Sequence, residues 1–422
     1  MLATLRHRNF ALVWVGGLIS LVGDRALMTA LPFYVYQQTG STLASAALFA
    51  AFYLPPVLLG SLAGVFVDRW NRKRLMVVTN VIQGGVMILL LLVRSDAWLW
   101  LIYVVFFVET AVATFFQPAE SALLPQLVDE QHLVSANALN ALNNNIARLA
   151  GPPIGGLLLA VFGLSSVAIV DSASFLIAAV LIALVSLPPR PSSEALPVAE
   201  VTVSAWADLW REWKEGLALV RRDRVIGTLF VVAGITSLGG CMFDPLIAPW
   251  IKSVLGGSAL VNGWLATAGA IGGLLGGVLL GRWGPSLKPG PLFGYSCVVA
   301  GGILLVMYNL TSVPVVLALA LLKSVPLVGC GVGLDTLFQT GVPDRYRGRV
   351  YGALSATNSL LGLVALGLAG FLGETVGIVP MLSLAAGITI FAGSLALVLL
   401  PKRDLPHRSS EAIDQATSVT HI

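Results

Sequence analysis

The chain has 422 residues, of which 57% are hydrophobic and only 11% are charged, and its mean hydropathy is +0.87. Soluble globular proteins carry about 25% charged residues, so this composition excludes a water-soluble chain. In a lipid bilayer only helix bundles and closed barrels satisfy every backbone polar group. Long apolar runs without alternation, such as the uncharged stretch 26–67, favour an all-α membrane protein.

The apolar segments predict twelve membrane-spanning helices. The first follows a short basic segment and lacks a cleavage site, so it is expected to remain in the protein rather than act as a signal peptide. The predicted helices lie at about 10–36, 42–67, 75–94, 97–125, 134–162, 166–187, 225–251, 258–281, 290–309, 312–340, 348–374 and 377–400.

One connection, 188–224, is much longer than the others. It begins with PPRPSSEALP, a flexible linker composition, and continues with apolar residues at helical spacing: Trp206, Leu209, Trp210, Trp213 and Leu217. This pattern predicts an amphipathic helix on the membrane surface. The chain is therefore divided into an N-terminal six-helix half (1–187), a cytoplasmic linker (188–224), a C-terminal six-helix half (225–405) and a disordered cytoplasmic tail (406–422).

The distribution of Lys and Arg predicts the orientation. With both termini in the cytoplasm, twenty of the 25 Lys and Arg residues fall on the cytoplasmic side, and only Arg94 and Lys252 fall outside. This bias follows the positive-inside rule and places the protein in the plasma (inner) membrane. It also accounts for the sequence pI of about 9.0 without a nucleic-acid partner.

Two segments occur twice. GVFVDRWN at 64–71 returns as GVLLGRWG at 277–284, and VDEQHLVSANALNALNNN at 128–145 aligns with VPDRYRGRVYGALSATNS at 342–359. The two halves are therefore related in sequence and are expected to be pseudo-symmetric. Transporters built from such repeats often bind substrate between them.

The motif Gly64-x3-Asp68-Arg69-x-Asn71-Arg72-Lys73 resembles the loop signature of the major facilitator superfamily between helices two and three. Asn71 stands where that family usually has Gly, and Asn tolerates the left-handed conformation that Gly offers. The segment Gly151-Pro152-x-x-Gly155-Gly156 is similar to the helix-five signature of drug:proton antiporters, with Ala147 in place of a further Gly. The phrases GDRALMTALPFYVYQQTGS, PAESALLPQLV, LVSANAL and PDRYRGRVYG resemble the third branch of those antiporters, which includes macrolide and enterobactin-type siderophore exporters.

The resemblance implies a cytoplasmic gate. Asp68 would lie near the N-terminus of helix eleven, where a helix dipole favours an anion, and Arg72 would reach the end of helix four near Glu120. The second copy carries Gly281 in place of the acid, so the gate would be asymmetric. The alternative is that the basic run DRWNRKR only anchors the loop. The full set expected at the gate is Gly64, Asp68, Arg69, Arg72, Lys73, Glu120 and Asp335.

Eight ionisable residues fall within predicted spans, where each costs at least ~2.5–3.5 kcal/mol and is a functional candidate. They are Asp24, Arg25, Glu109, Arg148, Asp171, Asp244, Lys323 and Asp335. Six of them lie on helices one, four, seven and ten, which line the central cavity in the resembled fold. We assign Asp24, Arg25, Glu109, Asp244 and Lys323 to proton coupling or the substrate cavity.

Alternatives remain for several of these charges. Glu109 and Lys323 occupy equivalent positions, 214 residues apart, and are expected to pair, either as a coupling element or as a static salt bridge. Asp24 either handles a proton or substrate or pairs with Arg25 or Arg148. Asp171 is expected to be structural and away from the cavity.

The glycines have packing and functional interpretations. Gly-rich stretches such as 271–281 are expected to let helices approach closely. In helix five the antiporter-like set is Arg148, Gly151, Pro152, Gly155 and Gly156, where packing and control of leak are not separable from sequence.

Nothing in the sequence indicates an enzyme or a metal site. The four histidines are expected to form no cluster, the three cysteines are expected to pack, and no phosphate-binding loop is present. No cofactor is expected; the proton gradient would supply the energy.

The sequence thus predicts a monomeric secondary transporter whose partners are a small-molecule substrate, protons and the lipid bilayer. It would export a hydrophobic or amphipathic compound in exchange for protons. An uptake permease or lysolipid transporter on the same fold, and a non-transporting membrane scaffold or sensor, remain alternatives.

Overall fold

The computed structural model describes residues 4–186, 224–342 and 344–400. Within these ranges twelve helical segments are long and apolar enough to cross a membrane, and there is no strand. The prediction of an all-α, twelve-helix membrane protein is confirmed. The helices are α1 (Arg8–Thr39), α2 (Thr42–Arg69), α3 (Arg72–Ile88), α4 (Trp100–Leu123), α5 (Leu133–Phe162), α6 (Leu164–Ala183), α7 (Arg224–Ser253), α8 (Ala259–Trp283), α9 (Pro289–Tyr308), α10 (Val313–Gly341), α11 (Asp344–Thr375) and α12 (Ile378–Leu399).

Two predicted segments are not part of these described ranges. The amphipathic surface helix around Trp210 and the cytoplasmic tail 406–422 lie outside the described residues, so both remain predictions.

The described residues form two compact units. The N-terminal unit contains α1–α6 together with residues 251–267, which are the end of α7 and the beginning of α8. The C-terminal unit contains the rest of α7 and α8 together with α9–α12.

In the N-terminal unit α1 packs against α5 and α6, α3 packs against α4 and α6, and α2 packs against α4. The contact between α3 and α6 is close because Gly84 has no side chain: the Ser172 hydroxyl donates a 2.7 Å hydrogen bond to the Gly84 carbonyl. An apolar cluster that includes Phe10, Met76 and Ile182 joins α1, α3 and α6. These contacts make α1 a central element of this unit.

The C-terminal unit repeats part of this pattern. Helix α9 packs against α10 and α12, which are the pairs equivalent to α3 with α4 and α6. A Cβ atom on Gly393 would crowd the backbone of Gly294, so both glycines are needed for the close approach of α9 and α12. The buried Cys297 and Cys330 join the apolar cluster of this unit, with their Sγ atoms 3.0 Å apart, as expected of packing residues. The shared helix pairs agree with the internal repeat in the sequence.

The glycines of α8 fall into two classes. A Cβ atom on Gly272 would overlap the carbonyl of Leu321 on α10, and one on Gly276 would lie 3.0 Å from the backbone of Val325. Nothing lies within 4 Å of such an atom on Gly273 or Gly277. The predicted packing role of this Gly-rich stretch is confirmed for the first pair, since small residues let two helix backbones approach.

Asn71 does not adopt the left-handed conformation. Its φ of −68° and ψ of 109° are extended, and its side chain accepts a 3.0 Å hydrogen bond from the backbone N–H of Arg74. Asn71 is therefore the N-cap of α3. The interpretation of this residue as a left-handed substitute for glycine was wrong, because a side-chain acceptor for the free N–H groups of the helix is what this position uses.

The two classes of glycine in α8 predict opposite effects for neighbouring substitutions. Gly272→Ala should lower the free energy of unfolding by about 1–3 kcal/mol, because the added methyl overpacks the contact with α10. Gly273→Ala should leave the stability unchanged or raise it by about 0.5–1 kcal/mol, because alanine favours the helix. Thermal unfolding of the two purified variants in detergent compares them; equal effects would contradict the described α8–α10 contact.

If Asn71 caps α3, two substitutions at this position should differ in their effect on stability. Asn71→Ala should lower the free energy of unfolding by about 1 kcal/mol, whereas Asn71→Ser should stay near wild type because serine also caps helices well. The same thermal assay measures both. A Ser variant as unstable as the Ala variant, with Asn71→Gly fully stable, would instead support a left-handed role.

Candidate functional site

A cavity of about 260 Å³ lies within the N-terminal unit, lined by residues of α1, α3, α4, α5 and α6. Its lining is strongly polar, with three ionisable side chains and six amides. These are Asp24, Arg25 and Glu120, and Asn80, Gln83, Gln117, Asn140, Asn143 and Asn144. Polar groups inside a membrane-spanning bundle are costly and mark substrate or ion pathways, so this cavity is the candidate functional site.

Asp24 and Arg25 stand on α1 and are both half-buried in the cavity lining. Gly17, Ser20 and Asp24 follow helical spacing along the face of α1 that meets the cavity. Arg25 is close enough to act electrostatically on the Asp24 carboxyl, as are two further acids, Asp171 and Glu109. Arg148, the other cation considered for Asp24, is exposed on α5 and does not line the cavity.

Glu109 is buried behind the cavity wall, with 7% of its surface exposed. Its carboxylate accepts a 3.0 Å hydrogen bond from Gln83 Nε2 on α3 and a 3.2 Å bond from the hydroxyl of Thr110. Gln83 itself lines the cavity. One amide thus connects the buried acid to the cavity surface. The pairing of Glu109 with Lys323 stays a prediction.

Asp171 lies nearer to Asp24 than the sequence predicts. It does not line the cavity, as expected, but it is 1% exposed and packs directly against Gly23, the residue before Asp24. A Cβ atom on Gly23 would overlap the Asp171 carboxylate and the Ser174 hydroxyl. Its Oδ2 atom has no hydrogen-bond partner among the described residues. In the sequence, Asp171 is noticeable as an acid within a largely apolar helix. Its proximity to Asp24 results from the packing of α1 against α6, which the sequence does not show.

Asn143 adds an acceptor to the cavity wall. Its side-chain NH₂ donates a 2.9 Å hydrogen bond to the carbonyl of Trp14 on α1, whereas its buried Oδ1 has no partner within the part of the chain that is described. Buried polar atoms are rarely left unpaired. Asn143 therefore places one acceptor that is unpaired among the described residues in the wall of the cavity, and this atom is shielded from solvent.

The residues predicted to form the gate are only partly described. The side chains of Asp68 and Arg69, with Gly64, lie outside the described residues, although α2 itself runs to Arg69. Their role remains a prediction.

Arg72 reaches α4, as predicted, but its partner differs. Its Nη1 donates a 2.8 Å hydrogen bond to the carbonyl of Ala122, because the last turn of a helix presents unpaired carbonyls that attract a cation. Glu120, the partner expected from sequence, lines the cavity instead. Lys73 is half-buried in the first turn of α3, and Asp335 is exposed on α10.

The helix-five motif is a contact surface. Cβ atoms on Gly151 and Gly155 would overlap Arg25 and the backbone of Ala26 on α1, and one on Gly156 would overlap the carbonyl of Ala259 at the start of α8. A Cβ atom on Gly263 of α8 would likewise overlap the backbone carbonyl of Pro152 on α5. The motif therefore holds α1 beside α5 at the position of Arg25, so packing and site geometry depend on the same residues.

In the C-terminal unit the half-buried charges Asp244 on α7 and Lys323 on α10 lie within electrostatic range of each other. The buried Tyr308 at the end of α9 also lies within range of Asp244. The sequence alone does not show that Asp244 and Lys323 are neighbours. Their proximity gives Lys323 an acidic neighbour inside its own unit.

The sequence profile of the Major Facilitator Superfamily matches residues 13–365 and 229–421. The chain belongs to this superfamily. Macrolide efflux protein A of Streptococcus pyogenes is 25% identical over 377 residues, covering 88% of this chain and 90% of that protein. Enterobactin exporter EntS of Escherichia coli O1:K1 / APEC is 25% identical over 412 residues, covering 94% and 93%.

Solved structures agree on the fold. A bacterial homologue of the iron transporter ferroportin in its inward-facing state aligns with a TM-score of 0.71 at 18% identity, covering 92% of this chain and 98% of that one. A bacterial homologue of the human lysosomal transporter Spinster aligns with a TM-score of 0.65 at 16% identity, covering 93% and 95%. At these identities the likeness shows the fold alone. This chain is thus a multi-pass membrane protein of the Major Facilitator Superfamily, a superfamily of transporters rather than enzymes.

The hydrogen bond between Gln83 and Glu109 predicts a measurable coupling in this superfamily member. Gln83→Leu should lower the free energy of unfolding by about 1–3 kcal/mol, because it removes a donor from a buried carboxyl group. In a Glu109→Gln background the loss should be smaller, since a neutral amide needs the donor less. A double-mutant cycle by thermal unfolding measures the difference; strictly additive losses would contradict the coupling.

Proposed function

We propose that this protein exports a small amphipathic molecule in exchange for protons, by alternating access of its two halves to the two sides of the membrane. The observation that carries the proposal is the polar cavity of the N-terminal unit, with Asp24 and Arg25 in its wall and two buried acids, Glu109 and Asp171, next to it. The relatives that are named as efflux and export proteins support the outward direction.

The buried acids support proton coupling. Three carboxyl groups, those of Asp24, Glu109 and Asp171, act on one another inside a membrane-spanning bundle. Charging all three would place like charges together away from water, which is unfavourable. Taking up and releasing a proton therefore changes the energy of this region, which allows it to favour one packing of the protein over another. Of these three acids only Asp24 lines the cavity, so we assign it the exchanged proton.

The chemistry of the lining supports an amphipathic substrate. Six amide side chains offer hydrogen bonds, whereas Phe116 and Phe175 offer apolar faces. The cavity volume of about 260 Å³ is slightly below the range of about 300–1,000 Å³ typical of pockets for drug-sized ligands. It is suited to one polar part of such a molecule. A lysolipid, with a polar head and an apolar chain, fits the same lining and is the second candidate.

The proposal predicts the behaviour of Asp24→Asn in proteoliposomes that contain a pH-sensitive dye. With a proton gradient imposed, wild type should move protons when a compound from a panel of macrolides, lipophilic cations and catecholate siderophores is added. Asp24→Asn should reduce this substrate-dependent proton flux at least 10-fold, because it removes the proposed proton carrier.

The matched control is Asp96→Asn, which neutralises an exposed acid in the turn before α4 and should retain the flux. Full flux in Asp24→Asn would contradict the assignment of the proton. No flux with the panel, but flux with lysolipids, would replace the drug class by a lipid substrate.

A further inference from the structure

His7 and two residues more than 120 positions later in the chain, Asp129 and His132, converge beside the N-terminal ends of α1 and α5. His7 immediately precedes α1, and Asp129 and His132 flank the short turn that leads into α5. One ligand atom from each, two imidazole nitrogens and one carboxylate oxygen, lie within 4.8 Å of one another. The expectation that the histidines form no cluster was wrong for this pair. The signal was hidden because 125 residues separate them, and only the packing of α1 against α5 brings them together.

The local backbone holds this arrangement. The N–H of His132 donates a 2.8 Å hydrogen bond to the carbonyl of Asp129, which fixes these two residues one turn apart. The imidazole rings of His7 and His132 meet edge to face, with their centroids 5.1 Å apart. The two imidazole rings are therefore in direct contact.

One ring nitrogen of the cluster lacks a partner. Nδ1 of His132 is shielded from solvent and has no hydrogen-bond partner among the described residues. A buried imidazole nitrogen without a hydrogen-bond partner is unusual. Coordination to a bound cation would give it a partner. This observation is independent of the clustering itself.

The donor set indicates the class of ion. Imidazole nitrogens with one carboxylate suit Zn²⁺, Fe²⁺ and related transition metals, whereas Mg²⁺ and Ca²⁺ prefer oxygen ligands alone. A tetrahedral ion with bonds of about 2.0–2.1 Å holds its ligand atoms about 3.4 Å apart. Side-chain rotation would therefore draw the three groups slightly closer on binding. The positive ends of two helix dipoles oppose a cation here, and the Asp129 carboxylate offsets them.

We propose that His7, Asp129 and His132 bind one divalent transition-metal ion and thereby tie the start of α1 to the connection between α4 and α5. Three protein ligands leave a coordination position for water or a further ligand. The site lies on the N-terminal side of both helices, on the face that the positive-inside distribution assigns to the cytoplasm. It is separate from the polar cavity, and its occupancy is a property distinct from transport.

Zinc binding tests the proposal on the full chain, purified in detergent without a polyhistidine tag and stripped of metal. Calorimetric titration with Zn²⁺ should show one ion per chain. His7→Ala, His132→Ala and Asp129→Asn should each weaken binding at least 10-fold. A 100-fold excess of Mg²⁺ should not compete.

Two control variants separate this site from other donors. Glu130→Gln changes the exposed acid next to Asp129, and a combined His407→Ala and His421→Ala variant removes the other two histidines; both should bind Zn²⁺ like wild type. Co²⁺ added to wild type should give the intense visible absorption of a four- or five-coordinate site, which requires no variant to fold. Absence of Zn²⁺ binding to wild type, displacement by Mg²⁺, or binding that survives in the His7 and His132 variants would overturn the proposal.

Discussion

A carboxyl group inside a membrane-spanning bundle is stabilised by hydrogen-bond donors or opposite charges around it, and the N-terminal unit provides such partners for part of its three acids. Glu109 receives hydrogen bonds from Gln83 and Thr110, and Asp24 stands beside Arg25. Asp171 is held near Ser174 against Gly23. In lipid, a missing donor cannot be replaced by bulk water, so the packing of α3 against α4 and of α1 against α6 determines which partners these acids have.

Small residues make this arrangement sterically possible. Gly23 leaves room for the Asp171 carboxylate, and Gly151 and Gly155 let α5 lie directly against α1 at Arg25 and Ala26. The antiporter-like motif and the acids therefore belong to one structural unit: the first fixes the distance of α5 from α1, and the second occupies the polar space beside it. The motif is therefore a packing surface between α1 and α5, next to the candidate site.

Much of the fold follows from the sequence, because a twenty-residue apolar run has few alternatives in a bilayer. The twelve helices were predicted on this basis, the internal repeat was predicted from two duplicated segments, and the packing role of residues 271–281 was predicted from their glycines. The cavity residues Asp24 and Arg25 were identified as charges within a membrane span. What the sequence could not show is which partners packing selects. Asp171 beside Gly23, Arg72 on the Ala122 carbonyl and the His7–His132 pair each join residues of helices or loops distant in the chain. Asn71 shows a different limit, since one residue type serves both left-handed turns and helix caps.

We propose that Asp24 exchanges a proton when substrate enters the cavity of the N-terminal unit. The most direct measurement is proton release or uptake by the purified protein in weakly buffered detergent solution, followed with a pH indicator while substrate is added and its binding is measured in parallel. We expect a proton signal in wild type and none in Asp24→Asn, although Asp24→Asn still binds the compound. Equal proton signals in both proteins, at equal binding, would contradict it.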